Sequence, residues 1–205
     1  MGKFLTISAI TQQVSQKGMY KLLANELYKD DDGTIYLAWR NFQTDNFTWI
    51  CSNEWDTRCS HIHDVGCKYH QVVIVKLTEE QLRRCRYLVI KNNEVICQDL
   101  PAQFLEVKNV SKLFINNLFY RMLKAADCPK TPKHIQLAYR AGVSLNLGWL
   151  WSGKIKVDLN KLYNEDWNKL QKDPKPKKKR ERKNNAESYK RCNHWWEYSW
   201  GSSYF

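Results

Sequence analysis

The chain has no run of 18 or more apolar residues, which argues against a transmembrane helix. Its opening, MGKFLTISAI, lacks the basic, apolar, small-residue order of a secretory signal. Seven cysteines (Cys51, Cys59, Cys67, Cys85, Cys97, Cys128, Cys192) are an odd number without framework spacing. Reduced thiols in a cytosolic compartment are therefore expected. There is no internal repeat, and no G-x-x-x-x-G-K-[ST], G-x-G-x-x-G, G-x-S-x-G or H-E-x-x-H. These absences argue against a P-loop NTPase, a dinucleotide enzyme, an elbow hydrolase and a zincin.

What is present is a globular composition, with 43% hydrophobic and 13% aromatic residues among 205. That is enough for one hydrophobic core plus a tail. The net charge is +12. Half of it sits in KDPKPKKKRERK (172–183), where eight basic residues face two acidic ones. Such a run cannot bury itself and is expected as a solvated arm. Lys175, Lys177, Lys178, Lys179, Arg180, Arg182 and Lys183 are its candidate contacts to nucleic-acid phosphates or an acidic protein; a solubilising tail is the plainer reading.

The pattern predicts an α+β fold: β-hairpins with a small cluster of helices, in one domain over 1–170. A basic linker (171–187) and an aromatic tail (188–205) follow. Residues 195–205 of the tail are expected to dock on the domain or on a partner. The first hairpin turns at DDDG, after which Ile35, Leu37 and Trp39 alternate with intervening residues. A ligand-rich segment runs from about Asp56 to Val75. Thr78, before Glu79, Glu80 and Gln81, marks a helix start. A second hairpin turns at Asn92-Asn93. A helix over 110–126 places Val110, Leu113, Phe114, Leu118, Met122 and Leu123 on one stripe. Another helix, over 132–149, begins with Pro132 after Thr131.

The densest chemistry lies in RCSHIHDVGCKYH, residues 58–70, with two cysteines and three of the five histidines. Cys59, His61, Cys67 and His70 form a C-x-H and a C-x2-H pair, which allows a structural zinc site with spacing tighter than usual. On a helix, Cys59, His63, Cys67 and His70 instead share a face about 80° wide, spread over about 16 Å. One metal with bonds of about 2.0–2.3 Å cannot reach all four. Either Gly66 breaks the helix, a smaller set binds, or the stripe belongs to the core. The adjacent pair His63-Asp64 suggests a different centre, completed by Asp45 and by an asparagine of mid-helix Asn116-Asn117. Asparagine there opposes helix preference and needs a reason.

These residues, in this order, resemble a small bacteriophage-encoded family of undetermined function. Its members carry Gly-Phe-x-Thr-Asp-x-x-Ser-x-Pro after a hairpin, His-Asp on a helix, Ala-Asp-x-x-Phe on a second helix, and a last helix of Tyr-x-Ala character. NFQTDNFTWI (41–50) is similar at Phe42, Thr44, Asp45 and Thr48, with Asn41 replacing Gly and Ile50 replacing Pro. HIHDVGC supplies His63-Asp64, NNLFYRMLKAADCPK the third motif, and QLAYRAGVSL the last. The resemblance spans about residues 34–149. It implies a phage accessory protein in the host cytoplasm, with virion association as a further expectation.

Two functions follow as expectations. In the first, Asp45, His63, Asp64 and Asn117 hold a divalent ion that activates water for hydrolysis of a phosphoester or similar bond, with His63 and Asp64 as the catalytic pair. His61 or His70 then serves as an outer or acid–base group. In the second, the protein is a non-enzymatic nucleic-acid- or protein-binding component braced by zinc on Cys59, His61, Cys67 and His70.

Overall fold

Alternating and continuous apolar runs generate a sheet-and-helix fold in the computed structural model, which describes residues 2–6, 11–14, 19–44, 58–125, 133–145 and 153–170. The chain divides into two units, Met1–Gln171 and Lys172–Phe205. The second unit lies outside the described residues, and with it the basic arm and the aromatic tail. So do Asp45, Pro132 and the stretch 45–57.

In chain order the strands are β1 (Lys3–Phe4), β2 (Thr11–Gln13), β3 (Tyr20–Leu22), β4 (Glu26–Lys29), β5 (Ile35–Ala38) and β6 (Gln43–Thr44). Helix α1 (Arg58–Tyr69) leads into β7 (Gln71–Val75), and helix α2 (Glu79–Arg84) into β8 (Leu88–Lys91) and β9 (Glu94–Cys97). A 3-10 turn and β10 (Leu105–Asn109) precede α3 (Lys112–Leu123), α4 (Lys133–Leu145) and α5 (Glu165–Leu170). The main sheet has the order β1-β4-β5-β7-β10 and is antiparallel throughout. Strands β2-β3-β6 form a second sheet and β8-β9 a third. The α+β class expected from the sequence is what the chain adopts.

Local chemistry explains the turns and starts. Gly33 takes φ 86° in the β4-β5 turn, a region open to glycine. Asn92 and Asn93 both take positive φ between Lys91 and Glu94, which pair directly. That is the two-residue turn matched to strand twist. Thr78 caps α2 in a full capping box with Gln81, and Ser111 caps α3 through the Phe114 amide.

Strand β5 does not alternate as expected. Tyr36 and Ala38 are as buried as Ile35 and Leu37. A central strand covered on both faces loses its period-two signature. Strand β7 (QVVIV) is likewise central and apolar, and it lies within the segment read from sequence as ligand-rich. Helix α3 buries Ile115, Leu118, Phe119, Met122 and Leu123, while Leu113 is 71% exposed. The apolar stripe is therefore rotated from the predicted one, because Leu113 lies off the face that meets α1. Arg121 of α3 grips Asp30 with two nitrogens at 2.8–3.1 Å, which ties the helix to the β4-β5 turn. Trp39 Nε1 donates to Asn168 Oδ1 at 3.1 Å and so anchors α5.

Candidate functional site

Helix α1 runs unbroken from Arg58 to Tyr69, straight through Gly66. Gly66 packs against Ile115 of α3, so the missing side chain serves helix contact and not a break. His70 follows with φ 52° and ends the helix. Gly153 fits directly against the His70 ring, where a Cβ would lie 2.3 Å from Nδ1.

The four residues of the zinc reading have separate surroundings along this helix. Cys59 is fully buried. His61 is equally buried, and its Nδ1 lies 2.7 Å from Glu26 Oε2. Cys67 faces His63, and His70 stacks against Gly153. His61 Nδ1 is directed at Glu26.

His63, Asp64, Cys67, Asn116 and Thr44 do come together. The His63 ring lies 4.8 Å from the Phe119 ring, centroid to centroid, and is almost wholly buried. Its Nε2 is 3.1 Å from Asn116 Oδ1; because that oxygen only accepts, Nε2 is assigned as the donor. Cys67 Sγ lies 3.5 Å from the same nitrogen, one helical turn on. On the other edge of the ring, His63 Nδ1 is 3.7 Å from Asp64 Oδ1. Thr44 Oγ1 donates to Asp64 Oδ2. Burial disfavours the His63 imidazolium, but hydrogen bonds to Asp64 and Cys67, and the negative charge of both, outweigh it and push the ring up to about 10. The Asp64 side chain is 25% exposed, so this is where the cluster reaches solvent.

The asparagine at this centre is Asn116 and not Asn117, which is exposed. Residues one apart on a helix point about 100° apart. With Ile115 and Phe119 buried, position 116 flanks α1 and position 117 faces outward. Thr44, Cys67 and Asn116 are the members of this cluster that the predicted metal set did not contain.

Among the described residues, no group of three or more His, Cys, Asp or Glu side chains is arranged to hold a metal ion. Of the predicted set, His63, Asp64 and Asn117 are described, and Asn117 stands apart from the other two on the exposed side of α3; Asp45 follows Thr44 directly in sequence. A separate hollow of about 340 Å³ is lined by Leu23, Ala24, Arg40, Ile96, Cys97, Gln98 and Asp99. It shares no residue with the cluster, and burial pushes the Cys97 thiol up to about 12, which makes that thiol inert. No described helix is long and apolar enough to cross a membrane. No family model, characterised protein or solved structure matches this chain.

Proposed function

We propose that the seam between α1 and α3 is a reaction centre in which His63 and Asp64, with Asp45 as a third ligand, hold a divalent cation. That cation activates water for hydrolysis of a phosphoester or similar bond. The observation that carries the reading is the chain Thr44–Asp64–His63. An imidazole nitrogen and a carboxylate oxygen stand 3.7 Å apart, and a buried hydroxyl orients the carboxylate; a cation bound between them takes the place of the Nδ1 proton that the raised His63 ring otherwise keeps. Two donors of one cation, each at about 2.0–2.2 Å, are separated by a gap of nearly this size. A buried neighbour that orients a ligand is also what metal centres use. One imidazole with carboxylates suits zinc, manganese or magnesium. Asn117, expected as a ligand, is left out of this set because it is exposed; Asn116 instead holds the far nitrogen of His63 and so positions the ring.

The resemblance to a phage-encoded family supplies the setting for this proposal: an accessory protein acting in the host cytoplasm. The competing reading, a binding protein braced by zinc on Cys59, His61, Cys67 and His70, gains no support from an unbroken α1 in which His61 is engaged by Glu26. The test is hydrolysis of bis(p-nitrophenyl) phosphate by chelator-treated protein reloaded with zinc, manganese or magnesium. Activity restored by metal and absent from His63→Ala and Asp64→Ala supports the proposal. Inactivity under every loading, or activity that survives both changes, overturns it.

A further inference from the structure

The basic arm at 172–183 accounts for only half of the net charge, and the other half is just as local. Residues 1–107 hold twelve Lys and Arg against thirteen Asp and Glu. Residues 108–156 hold nine against a single acid, Asp127. The first unit is thus close to neutral except for the segment that spans the end of β10, helices α3 and α4, and the residues that follow to 156. Helices α3 and α4 contain no acidic residue at all.

Two groups of exposed cations stand on this segment. At the C-terminal end of α3, the Lys124 Nζ lies 4.0 Å from the Tyr120 ring centroid, and the Arg140 guanidinium of α4 lies 5.0 Å from it. One ring thereby gathers two like charges, with Lys133 also exposed on α4. The ring face offsets part of their repulsion. At the other end, Lys108 and Lys156 are the exposed sequence neighbours of the two residues, Asn109 and Val157, that bond the Gln71 amide. That amide donates to Asn109 Oδ1 and accepts from the Val157 backbone. Helix α3, about 18 Å long for twelve residues, runs between Lys108 and Lys124 in the chain, a length of about five base pairs at 3.4 Å each. Arg121 is set apart from both groups, because its charge is committed to Asp30.

We infer that this face binds the phosphodiester backbone of a nucleic acid without sequence preference. A polymeric anion fits two cation groups far apart, whereas a single small anion satisfies only one of them. The inference does not depend on the metal proposal, and its test is run in EDTA.

The experiment is fluorescence anisotropy of the full chain with a labelled 20-base-pair DNA duplex and its single strand, across a salt series. The triple change Lys124→Glu, Lys133→Glu, Arg140→Glu keeps the 172–183 arm intact. It is expected to lower duplex affinity at least tenfold at low salt, and to flatten the log–log salt slope by about two to three, at about 0.9 per lost phosphate contact. Lys108→Glu with Lys156→Glu is the independent second variant, expected to act in the same direction. Two results overturn the inference: wild-type affinity and slope in both variants, which assigns the binding to the arm, or capture by phosphatidylserine vesicles with no DNA binding, which assigns the face to a membrane surface.

Discussion

A Cβ placed on Gly66 would lie 2.3 Å from Cγ1 of Ile115, so α1 and α3 touch where only a residue without a side chain fits. That contact sets the distance at which His63 meets Asn116, one turn earlier on α1. Gly66→Ala gains about 1 kcal/mol of helix propensity but incurs overpacking of about 1–3 kcal/mol. A net loss of stability is expected in urea unfolding. In an Ile115→Ala background the same change should become stabilising. A stabilising Gly66→Ala in the wild-type background contradicts this view of the seam.

Glu26 and His61 form a second relationship on the same helix, with side chains 1% and 0% exposed and 2.7 Å apart. Removing one partner of a buried pair leaves the other desolvated and costs about 3–5 kcal/mol. Glu26→Ala is therefore expected to shift the urea midpoint strongly downward. A loss below about 1 kcal/mol would show that the pair is not a structural brace of α1.

The adjacent asparagines of α3 should behave oppositely. Asn116→Ala removes the acceptor for a buried ring N–H and should cost about 1–3 kcal/mol. Asn117→Ala replaces an exposed residue with a better helix former and should stay within about 0.5 kcal/mol of wild type. Equal effects in thermal melting would contradict the assignment of Asn116 to the centre.

How much of this was legible in the sequence depended on which residues carried a local signal. The turns at Gly33 and at Asn92-Asn93, and the start at Thr78, rest on backbone chemistry within four residues, and each forms as read. Strand β7 was hidden because a strand buried on both faces has no alternation, and its residues directly follow the His/Cys cluster. Leu113 and Asn117 were misplaced for a common reason: periodicity fixes the width of a buried stripe but not which flank meets a neighbouring helix. Cys59 and His61 looked like ligands by composition, yet one is a core residue and the other is engaged by a glutamate 35 residues away. Thr44 was read only as the neighbour of Asp45 in a Thr-Asp stretch, since a hydroxyl that orients a carboxylate is recognised only once Thr44 is brought against Asp64 of α1.

Alkaline pH should weaken the fold through the β4-β5 hairpin. Burial, then Asp30 and Asp32, push the Tyr36 phenol up to about 12, against the pull of Arg121. Tyr28 moves in the same direction, by burial and then by Asp30. Between the ordinary tyrosine value of about 10 and the raised one, the unfolded chain loses a proton that the folded chain keeps. Stability therefore falls as pH rises above about 10. Tyr36→Phe should flatten that fall in urea midpoints taken at pH 8, 10 and 11; an unchanged slope would remove Tyr36 as its source.

The central claim is that His63 and Asp64 share a cation, and isothermal titration of chelator-treated full-length protein with zinc, manganese and magnesium chlorides tests it most directly. One equivalent of saturable binding to at least one of these ions is predicted for the wild type. It should be lost in His63→Ala and in Asp64→Asn but retained in Asn117→Ala. No saturable binding of any of the three ions, or binding that persists in both ligand variants, would contradict the account.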